Sequence, residues 1–542
     1  MKRARVIHPF FFSIFPILAL YAHNIRSLPI PFGELVGPLV VSLVGTGLIL
    51  FLLRATLKDT ARSGLLVSLL MLWFFSFGHI LGRVAVWTGG IFNRSFFFAT
   101  AILVGLAVFL IVRSRRNFQG LSSFLNVVSV TLVVFNLASV GQTLARRPHT
   151  VIDQGIKVSG QATARPNIYY IILDAYTRAD ILREVFSFDN TGFVEGLEAR
   201  GFYVASRSYA NYGFTYHSLA SSLNFAYLDA LAKGVGSAAY DQEPLYKMIQ
   251  GNRVMEFLKG QGYTVTCLSS EIKSWDMKNV DRYISYEGGT SEFLSALLNT
   301  TPAPLFFNTS RGSSSYRSHR RYILDAFRVL EESPLQKGPL FLFAHLMAPH
   351  PPFVFGPNGE AVEPDYLFSK VDADRLHGQN EAAVRDYIVR YREQVAFLNK
   401  KILEAVDAIL SRSPEPPIII LQGDHGSRAF ADLDHPEACY LKENLAILNS
   451  YYLPGDGRTL LYPEISPVNT FRLVFMHYFG ADLDLIGDKS AWCTWWRPYV
   501  FIPFEESSYK ATPESIISKM KPKAPIVRKS NSDRRLSGAR KR

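Results

Sequence analysis

The sequence predicts an α/β protein in which an N-terminal five-helix transmembrane domain precedes a domain with a mostly parallel central sheet. Three observations lead to this fold class. Five long apolar runs occur before residue 145. The composition then changes to that of a globular domain. In that second part, short apolar runs typical of buried parallel strands alternate with helical stretches.

The five N-terminal runs are each nearly free of charge and approach the ~20 residues that a helix needs to cross the hydrocarbon core. A soluble helical core could show one such run, but hardly five in succession. We therefore assign residues 1–145 to a transmembrane domain. The runs are Ile7–Ala22, Leu35–Leu53, Gly64–Leu81, Phe96–Val112 and Phe124–Val140.

The basic residues near these runs predict the orientation, because cytoplasmic loops are enriched in Lys and Arg. The side that holds the N-terminus carries Lys2, Arg3, Arg5, Arg54, Lys58, Arg62, Arg113, Arg115 and Arg116. The opposite side carries Arg26, Arg83, Arg94, Arg146 and Arg147. We expect a multi-pass protein of the inner or plasma membrane with an extracytoplasmic second domain. If the first run were a cleaved signal peptide, four spans would remain and the second domain would still lie outside.

The second domain is predicted to span residues 146–518 as one α/β unit. Its strand candidates are Asn167–Leu173, Leu340–His345 and Ile418–Gln422. Apolar residues at three- and four-residue intervals predict a helix over Asn380–Leu410. Residues 519–542 are predicted to be a basic disordered tail.

Charge and cysteine content exclude some classes of function. Ten basic residues and one acid lie in the tail, so most of the net charge of +12 is local and the rest of the protein is not a binder of nucleic acid. The tail is either a solvated end or a contact for anionic lipid or polymer. Three cysteines without a CxxC pair make a disulfide scaffold or a zinc ribbon unlikely to account for the fold.

Polar residues follow the three strand candidates, at the edge of the sheet where sites of α/β proteins form. Asp174 follows the first strand, and His345 ends the second, with His350 five residues later. The third strand leads into Gly423-Asp424-His425-Gly426. A carboxylate beside an imidazole suits a divalent metal, whereas an Asp-His pair alone is equally consistent with a hydrogen-bonded turn.

The order of these motifs resembles the alkaline phosphatase/sulfatase superfamily. The resemblance rests on Asp174, a threonine in NYGFTYHSLASSLN, the HPP segment and GDHG. The likeness extends to membrane-bound lipoteichoic acid synthase-like and phosphoethanolamine transferase-like proteins, and it spans about residues 1–490. SPVNTFR at Ser466–Arg472 is also similar to segments of these proteins.

The resemblance implies roles for individual residues. Asp174, Thr215, Asp424 and His425 match the ligands of one divalent metal ion, which would be Mn, Zn or Mg. Thr215 also matches the catalytic nucleophile, and His350 matches a histidine that contacts the transferred phosphate. His345 is a candidate brace for His350 or the metal site. Two departures are that Ala175 stands where many relatives have a second carboxylate, and that Asp174 replaces the Glu of lipoteichoic acid synthases.

The function implied is transfer of a phosphoglycerol or phosphoethanolamine head group from a membrane phospholipid to a cell-surface glycan or lipid, through a phosphothreonine intermediate. No cysteine lies in a C/S-x-P-x-R run, which sets formylglycine-dependent sulfate-ester hydrolysis aside. Two alternatives remain open at this point. One is a phosphodiester or ester hydrolase that uses water as the acceptor. The other is a non-catalytic membrane scaffold with a degenerate sulfatase-like domain.

The predicted orientation is tested by fusions to a reporter enzyme that is active only outside the cytoplasm. A fusion after Arg147 should be active and a fusion near Arg115 inactive, because the charge bias places these positions on opposite sides. The reverse pattern would contradict both the orientation and the external location of the second domain.

Overall fold

The computed structural model describes residues 5–25, 30, 32–88, 93–145, 165–285, 292–307, 314–335, 338–362, 368–370, 380–433, 435, 439–508 and 512–518. The predicted basic tail at 519–542 and the chain at 146–164 between the two predicted domains lie outside the described residues.

Each of the five apolar runs forms a helix. Four of these helices are long and apolar enough to cross a membrane, among the residues that the structure describes. The first has 17 residues, fewer than the other four, so the described residues give four candidate spans where the sequence predicts five. The helices are α1 (His8–Asn24), α2 (Gly33–Leu57), α3 (Thr60–Thr88), α4 (Asn93–Arg113) and α5 (Gln119–Ala145).

The short helix α1 packs against α2, α3 and α5. Its first residue, His8, is buried and contacts two neighbouring helices, with Nδ1 2.6 Å from Ser68 Oγ and Nε2 2.9 Å from Ser122 Oγ. Gly64 of α3 allows this approach, since a Cβ there would lie 2.2 Å from Val6 Cγ1. Interhelical hydrogen bonds and small residues are the usual means of helix association in lipid, and here they hold α1 against the bundle.

The second domain is built on a seven-stranded sheet. Its order is β2-β7-β6-β1-β5-β3-β4, in which β6, β1, β5, β3 and β4 are parallel and β7 is antiparallel to both of its neighbours. A separate antiparallel pair joins β8 to β9. The strands are β1 (Ile168–Leu173), β2 (Tyr203–Val204), β3 (Thr264–Leu268), β4 (Arg282–Ile284), β5 (Leu340–Leu346), β6 (Ile418–Gln422), β7 (Asn449–Tyr452), β8 (Ser490–Thr494) and β9 (Arg497–Phe504).

Helices connect and cover these strands, which confirms the predicted α/β fold class. All six residues of β1 are buried, as expected for a strand with both faces of its sheet covered. The helices are α6 (Ala179–Phe186), α7 (Thr191–Ala199), α8 (Thr215–Ser222), α9 (Asp229–Val235), α10 (Glu243–Gln250), α11 (Arg253–Gly260), α12 (Glu292–Asn299), α13 (Pro304–Phe307), α14 (Ser314–Glu332), α15 (Glu381–Arg412), α16 (Leu441–Leu445), α17 (Pro467–Phe479) and α18 (Pro513–Ile517).

The longest helix, α15, lies where the apolar periodicity predicts it. Asn380 is its N-cap, and the side chain accepts a hydrogen bond from the Ala383 N–H. Its buried stripe includes Tyr391, whose hydroxyl donates to the carbonyl of Ala175 at the end of β1. The helix therefore reaches the edge of the sheet at which the candidate site lies.

Candidate active site

The carboxyl ends of β1 and β6 bring three of the predicted ligands together. The two strands are adjacent and parallel, with Ile172 beside Gln422. Asp174 follows the first strand, and Asp424 and His425 follow the second. One potential ligand atom from each of these three residues lies within 4.8 Å of the others, and all three side chains are buried.

Each ligand residue has one polar atom held by the protein and one without a protein partner. Asp174 Oδ2 lies 2.9 Å from His345 Nε2, and Asp424 Oδ1 accepts from the Ala175 N–H at 3.0 Å. His425 Nδ1 lies 2.7 Å from the Gly426 carbonyl, which fixes Nε2 as the unprotonated nitrogen. The remaining atoms, Asp174 Oδ1, Asp424 Oδ2 and His425 Nε2, are buried without a hydrogen-bond partner.

These three unpartnered atoms fit a divalent cation. Buried polar atoms are normally hydrogen-bonded, so three such atoms together indicate a missing partner. His425 Nε2 lies 3.6 Å from Asp174 Oδ1 and 3.7 Å from Asp424 Oδ2. Such separations suit atoms that each lie ~2.0–2.2 Å from one ion. The donor set of two carboxylates and an imidazole can therefore hold one metal ion.

The protonation states at the site also suit metal binding. Burial by itself raises the pKa of Asp174, but His350, His345 and His425 outweigh it and lower this pKa to about 2. Burial, followed by the charge of Arg428, lowers the pKa of His425 below its ordinary value. At neutral pH the site thus offers an ionised carboxylate and a neutral imidazole, the forms that bind metals.

His345 braces the site from the neighbouring strand β5. Its Nε2 contacts Asp174, its carbonyl accepts from the Tyr322 hydroxyl at 2.8 Å, and its ring stacks on Trp275 with centroids 5.8 Å apart. Burial lowers the pKa of His345, but the hydrogen bond and charge of Asp174 outweigh it and raise this pKa overall. The predicted brace therefore contacts the candidate ligand Asp174.

His350, the residue predicted to contact the phosphate, lies beside the ligand cluster. Its N–H donates to the Asp174 carbonyl at 2.9 Å, and its ring centroid is 6.2 Å from that of His425. Gln394 of α15 holds the same segment through the Pro349 carbonyl. The structure thus places His350 next to the carboxylate cluster, although the two are far apart in sequence.

The turn that carries Asp424 and His425 requires its two glycines. A Cβ at Gly423 would lie 2.5 Å from the Tyr176 carbonyl oxygen, and one at Gly426 would lie 2.1 Å from that of Glu443. The segment that follows is held by the buried Glu443 carboxylate, which accepts from Ser427 Oγ and from the N–H groups of Ala429 and Phe430. Sequence reasoning missed Glu443, because no local pattern marks a carboxylate that acts on a distant loop.

Thr215 is the first residue of α8 and is buried. Phe214, not Thr215, occupies the N-cap position, so Thr215 does not serve as the N-cap. Ser218, one turn further along the same face, donates from Oγ to the Asp424 carbonyl at 2.6 Å. This bond ties the start of α8, with its N–H groups and positive dipole end, to the loop that carries two of the candidate metal ligands.

Arg428 is a further residue that sequence reasoning missed. Its Nη2 donates to the Gly213 carbonyl at 2.9 Å, and its guanidinium lies over the Phe214 ring, 5.2 Å from the centroid. It therefore links the loop after His425 to the two residues before Thr215. The only signal in the sequence is its position three residues after His425.

His217, next to Thr215, is packed inside the domain. Its Nε2 lies 2.7 Å from the Pro498 carbonyl, and burial lowers the pKa of its ring to about 3. These contacts favour the structural interpretation of this histidine over a ligand role.

Three comparisons place the chain among known proteins. The model of the sulfatase family matches residues 166–465, a range that contains all five candidate residues. No curated protein sequence matches the chain.

Solved structures similar to the chain come from several bacteria. The C-terminal periplasmic domain of EcEptC from Escherichia coli, in complex with Zn, has 12% identity and a TM-score of 0.40, covering 64% of this chain and 95% of its own. The integral membrane lipooligosaccharide phosphoethanolamine transferase A from Neisseria meningitidis has 12% identity and a TM-score of 0.40, covering 88% and 95%. The phosphonate monoester hydrolase of Agrobacterium radiobacter has 14% identity and a TM-score of 0.38, covering 60% and 80%.

The glycine turn generates a prediction about stability. Gly426→Ala places a methyl group against backbone oxygen, so we expect a loss of at least about 2 kcal/mol in the free energy of unfolding. Gly234→Ala is the matched control, because a Cβ there meets nothing within 4 Å and the position lies in helix α9. Thermal unfolding of the purified full-length variants measures both. Similar midpoints for the two variants would contradict the close approach.

The ligand cluster generates a prediction about metal content. Asp424→Asn should abolish stoichiometric metal binding, and His345→Ala should weaken it by about 10- to 100-fold, since it removes the support of a ligand. Elemental analysis and competition with a chelating dye measure the two effects. The control is Asp407→Asn, because that carboxylate pairs with Arg200 on the surface. Wild-type metal content in the Asp424→Asn protein would contradict the assignment.

Proposed function

Because the chain belongs to the sulfatase family of enzymes, we propose that it transfers a phosphoryl-linked head group from a membrane lipid to a cell-surface acceptor. The group would be phosphoglycerol or phosphoethanolamine, the donor a phospholipid, and the acceptor a surface glycan or lipid. The reaction proceeds through a phosphothreonine intermediate at Thr215.

One observation carries this proposal. Three buried ligand atoms without protein partners converge at the sheet edge, and the start of α8 is tied to the same loop by the Ser218–Asp424 hydrogen bond. A hydroxyl nucleophile, a cation site and a helix N-terminus are the parts that phosphoryl transfer requires, and the Ser218–Asp424 bond supports the proposal that they lie close together. The sequence has a residue for each role that the family resemblance implies, which favours a catalytic domain over a degenerate scaffold.

In the first step, Thr215, His350 and the start of α8 each have a separate role. The Thr215 hydroxyl loses its proton to water. Its Oγ then attacks the phosphorus of the donor and forms a P–O bond, while the bond between phosphorus and the diacylglyceryl oxygen breaks. His350 is the proposed acid that supplies a proton to the leaving oxygen. The N–H groups at the start of α8 stabilise the negative charge of the phosphoryl oxygens.

A divalent ion held by Asp174, Asp424, His425 and Thr215 would lower the pKa of the threonine hydroxyl and neutralise charge on the phosphate. In the second step, a hydroxyl of the acceptor attacks the phosphorus and Thr215 leaves as the restored alcohol. If water took the acceptor's place, the same site would act as a hydrolase. The membrane helices favour a lipid donor, because a hydrolase of soluble esters has no need of them.

Substitution of the nucleophile tests the covalent route. Thr215→Ala should abolish turnover while the domain stays folded, and Thr215→Ser should retain part of the activity, because it keeps a hydroxyl that can be activated. The measurement is release of diacylglycerol from labelled phospholipid by the purified protein. Thr459→Ala, a change of the same type on an exposed turn, should act like the wild type.

The same experiment identifies the intermediate and the acceptor. Mass spectrometry of protein trapped with donor should place the adduct on the peptide that contains Thr215. Transfer of the label to an added glycan or lipid supports the transferase, whereas release into water supports the hydrolase. A folded Thr215→Ala protein with wild-type turnover would end the covalent mechanism.

A further inference from the structure

A segment of the second domain packs against the bundle of membrane helices. It comprises residues 292–307, which include α12 and α13, and is called here the docking segment. Phe293 and Leu297 of α12 belong to one buried cluster with residues of α1, α2, α3 and α5. Further along the segment, the Phe306 ring lies 5.0 Å from that of Phe97 on α4.

The contact with α3 is close enough to involve the backbone. The Gly78 N–H donates to the Thr300 carbonyl at 2.8 Å, and a Cβ at Gly78 would lie 1.9 Å from the Asn299 carbonyl oxygen. Gly78 lies three residues before Leu81, where the apolar run of α3 ends, which is about 4.5 Å along the helix axis. The docking segment therefore contacts the bundle within the apolar span and not only above it.

The chemistry of the docking segment suits a lipid environment. Residues 293–307 contain no charged side chain. The hydroxyls of Thr300 and Thr301 donate to the carbonyls of Leu297 and Leu298, which satisfies acceptors at the end of α12. Internal satisfaction of backbone groups is what a bilayer demands of a chain that enters it.

Two large apolar side chains of the docking segment point away from the protein. Leu298 is 39% exposed and Phe306 is 56% exposed. Phe306 lies beside α4, whose own outward residues Phe98 and Ile102 are also exposed and apolar. Continuity with this surface indicates that the same lipid covers both.

We propose that the docking segment inserts into the outer leaflet and holds the candidate active site at the membrane surface. The partner of its exposed face is phospholipid. The consequence for catalysis rests on the proposed function: a donor lipid would meet the site without leaving the bilayer, because the domain cannot move away from the surface.

The strand order of the sheet limits the distance between the docking segment and the candidate active site. β4 ends at Ile284 and α12 begins eight residues later, so the segment starts within about 29 Å of the carboxyl end of β4. Three strand spacings, about 14 Å, separate β4 from β1, which carries Asp174. After the segment, α14 returns to the site through the Tyr322–His345 hydrogen bond.

The first test locates residue 306 in the reconstituted full-length protein. A nitroxide is attached to a Phe306→Cys variant, and the three native cysteines are buried, which favours selective labelling. The label should be relaxed more by oxygen, which concentrates in lipid, than by nickel–ethylenediamine diacetate, which stays in water. A label at Leu460→Cys, 44% exposed after β7, should show the opposite preference. Preference of residue 306 for the nickel reagent would overturn the proposal.

The second test separates docking from chemistry. Gly78→Ala forces α3 and the docking segment apart, whereas Gly82→Ala on the same helix meets nothing within 4 Å. Gly78→Ala should lose at least about tenfold in turnover of donor embedded in vesicles, because the site is displaced from the lipid, and should keep turnover of a short-chain soluble donor. Gly82→Ala should keep both. Wild-type turnover of vesicle donor by Gly78→Ala would overturn the role of docking in catalysis.

The two tests fail separately. If the wild type turns over no phospholipid at all, the proposed function is wrong, and the label at residue 306 still decides whether the docking segment lies in lipid. If the label reports water while phospholipid is turned over, the proposed function stands and the docking proposal is wrong.

Discussion

The site depends on the burial of two carboxylates next to each other. Asp174 and Asp424 are almost fully buried, and each directs an oxygen without a protein partner toward the same point as His425 Nε2. Uncompensated buried charge is costly, so this arrangement is stable only with positive charge nearby. The contact of His345 Nε2 with Asp174 Oδ2 offsets part of this cost, and a bound cation would offset the rest. The glycine turn and the Glu443 carboxylate hold these oxygens in place.

Ala175 stands where many relatives have a second carboxylate beside Asp174, and its backbone makes contacts of its own. Ala175 adopts a left-handed backbone conformation with φ of 63°, which costs a non-glycine residue roughly 1–2 kcal/mol. In this conformation its N–H contacts Asp424 and its carbonyl accepts from Tyr391. The backbone at position 175 thus orients a ligand instead of providing one. This supports a site for one ion, since no second acidic group stands at this turn.

The sequence allowed prediction of those parts of the site that follow from strand periodicity. Apolar runs located β1, β5 and β6, and parallel strands bring their carboxyl ends to one edge, so Asp174, His345 and Asp424 could be placed together. Arg428 and the docking segment could not be predicted in this way, because their contacts join distant parts of the chain. The first apolar run forms α1, which at 17 residues is shorter than the four candidate spans. Hydropathy marks this helix as apolar but does not show its polar contacts through His8, which join it to α3 and α5.

Helix α14 follows the docking segment along the chain and contacts the support of the proposed metal ligands. The docking segment is held at Gly78, α14 follows it, Tyr322 of α14 donates to the His345 carbonyl, and His345 contacts Asp174. Tyr322 and His345 are buried, so these bonds are shielded from water and are stronger than exposed ones. These bonds lie within the second domain, so a shift of the domain relative to the bilayer would move the site from its lipid and leave the support of Asp174 in place. The proposed attachment to the membrane and the geometry of the ligand cluster can therefore be separated by experiment.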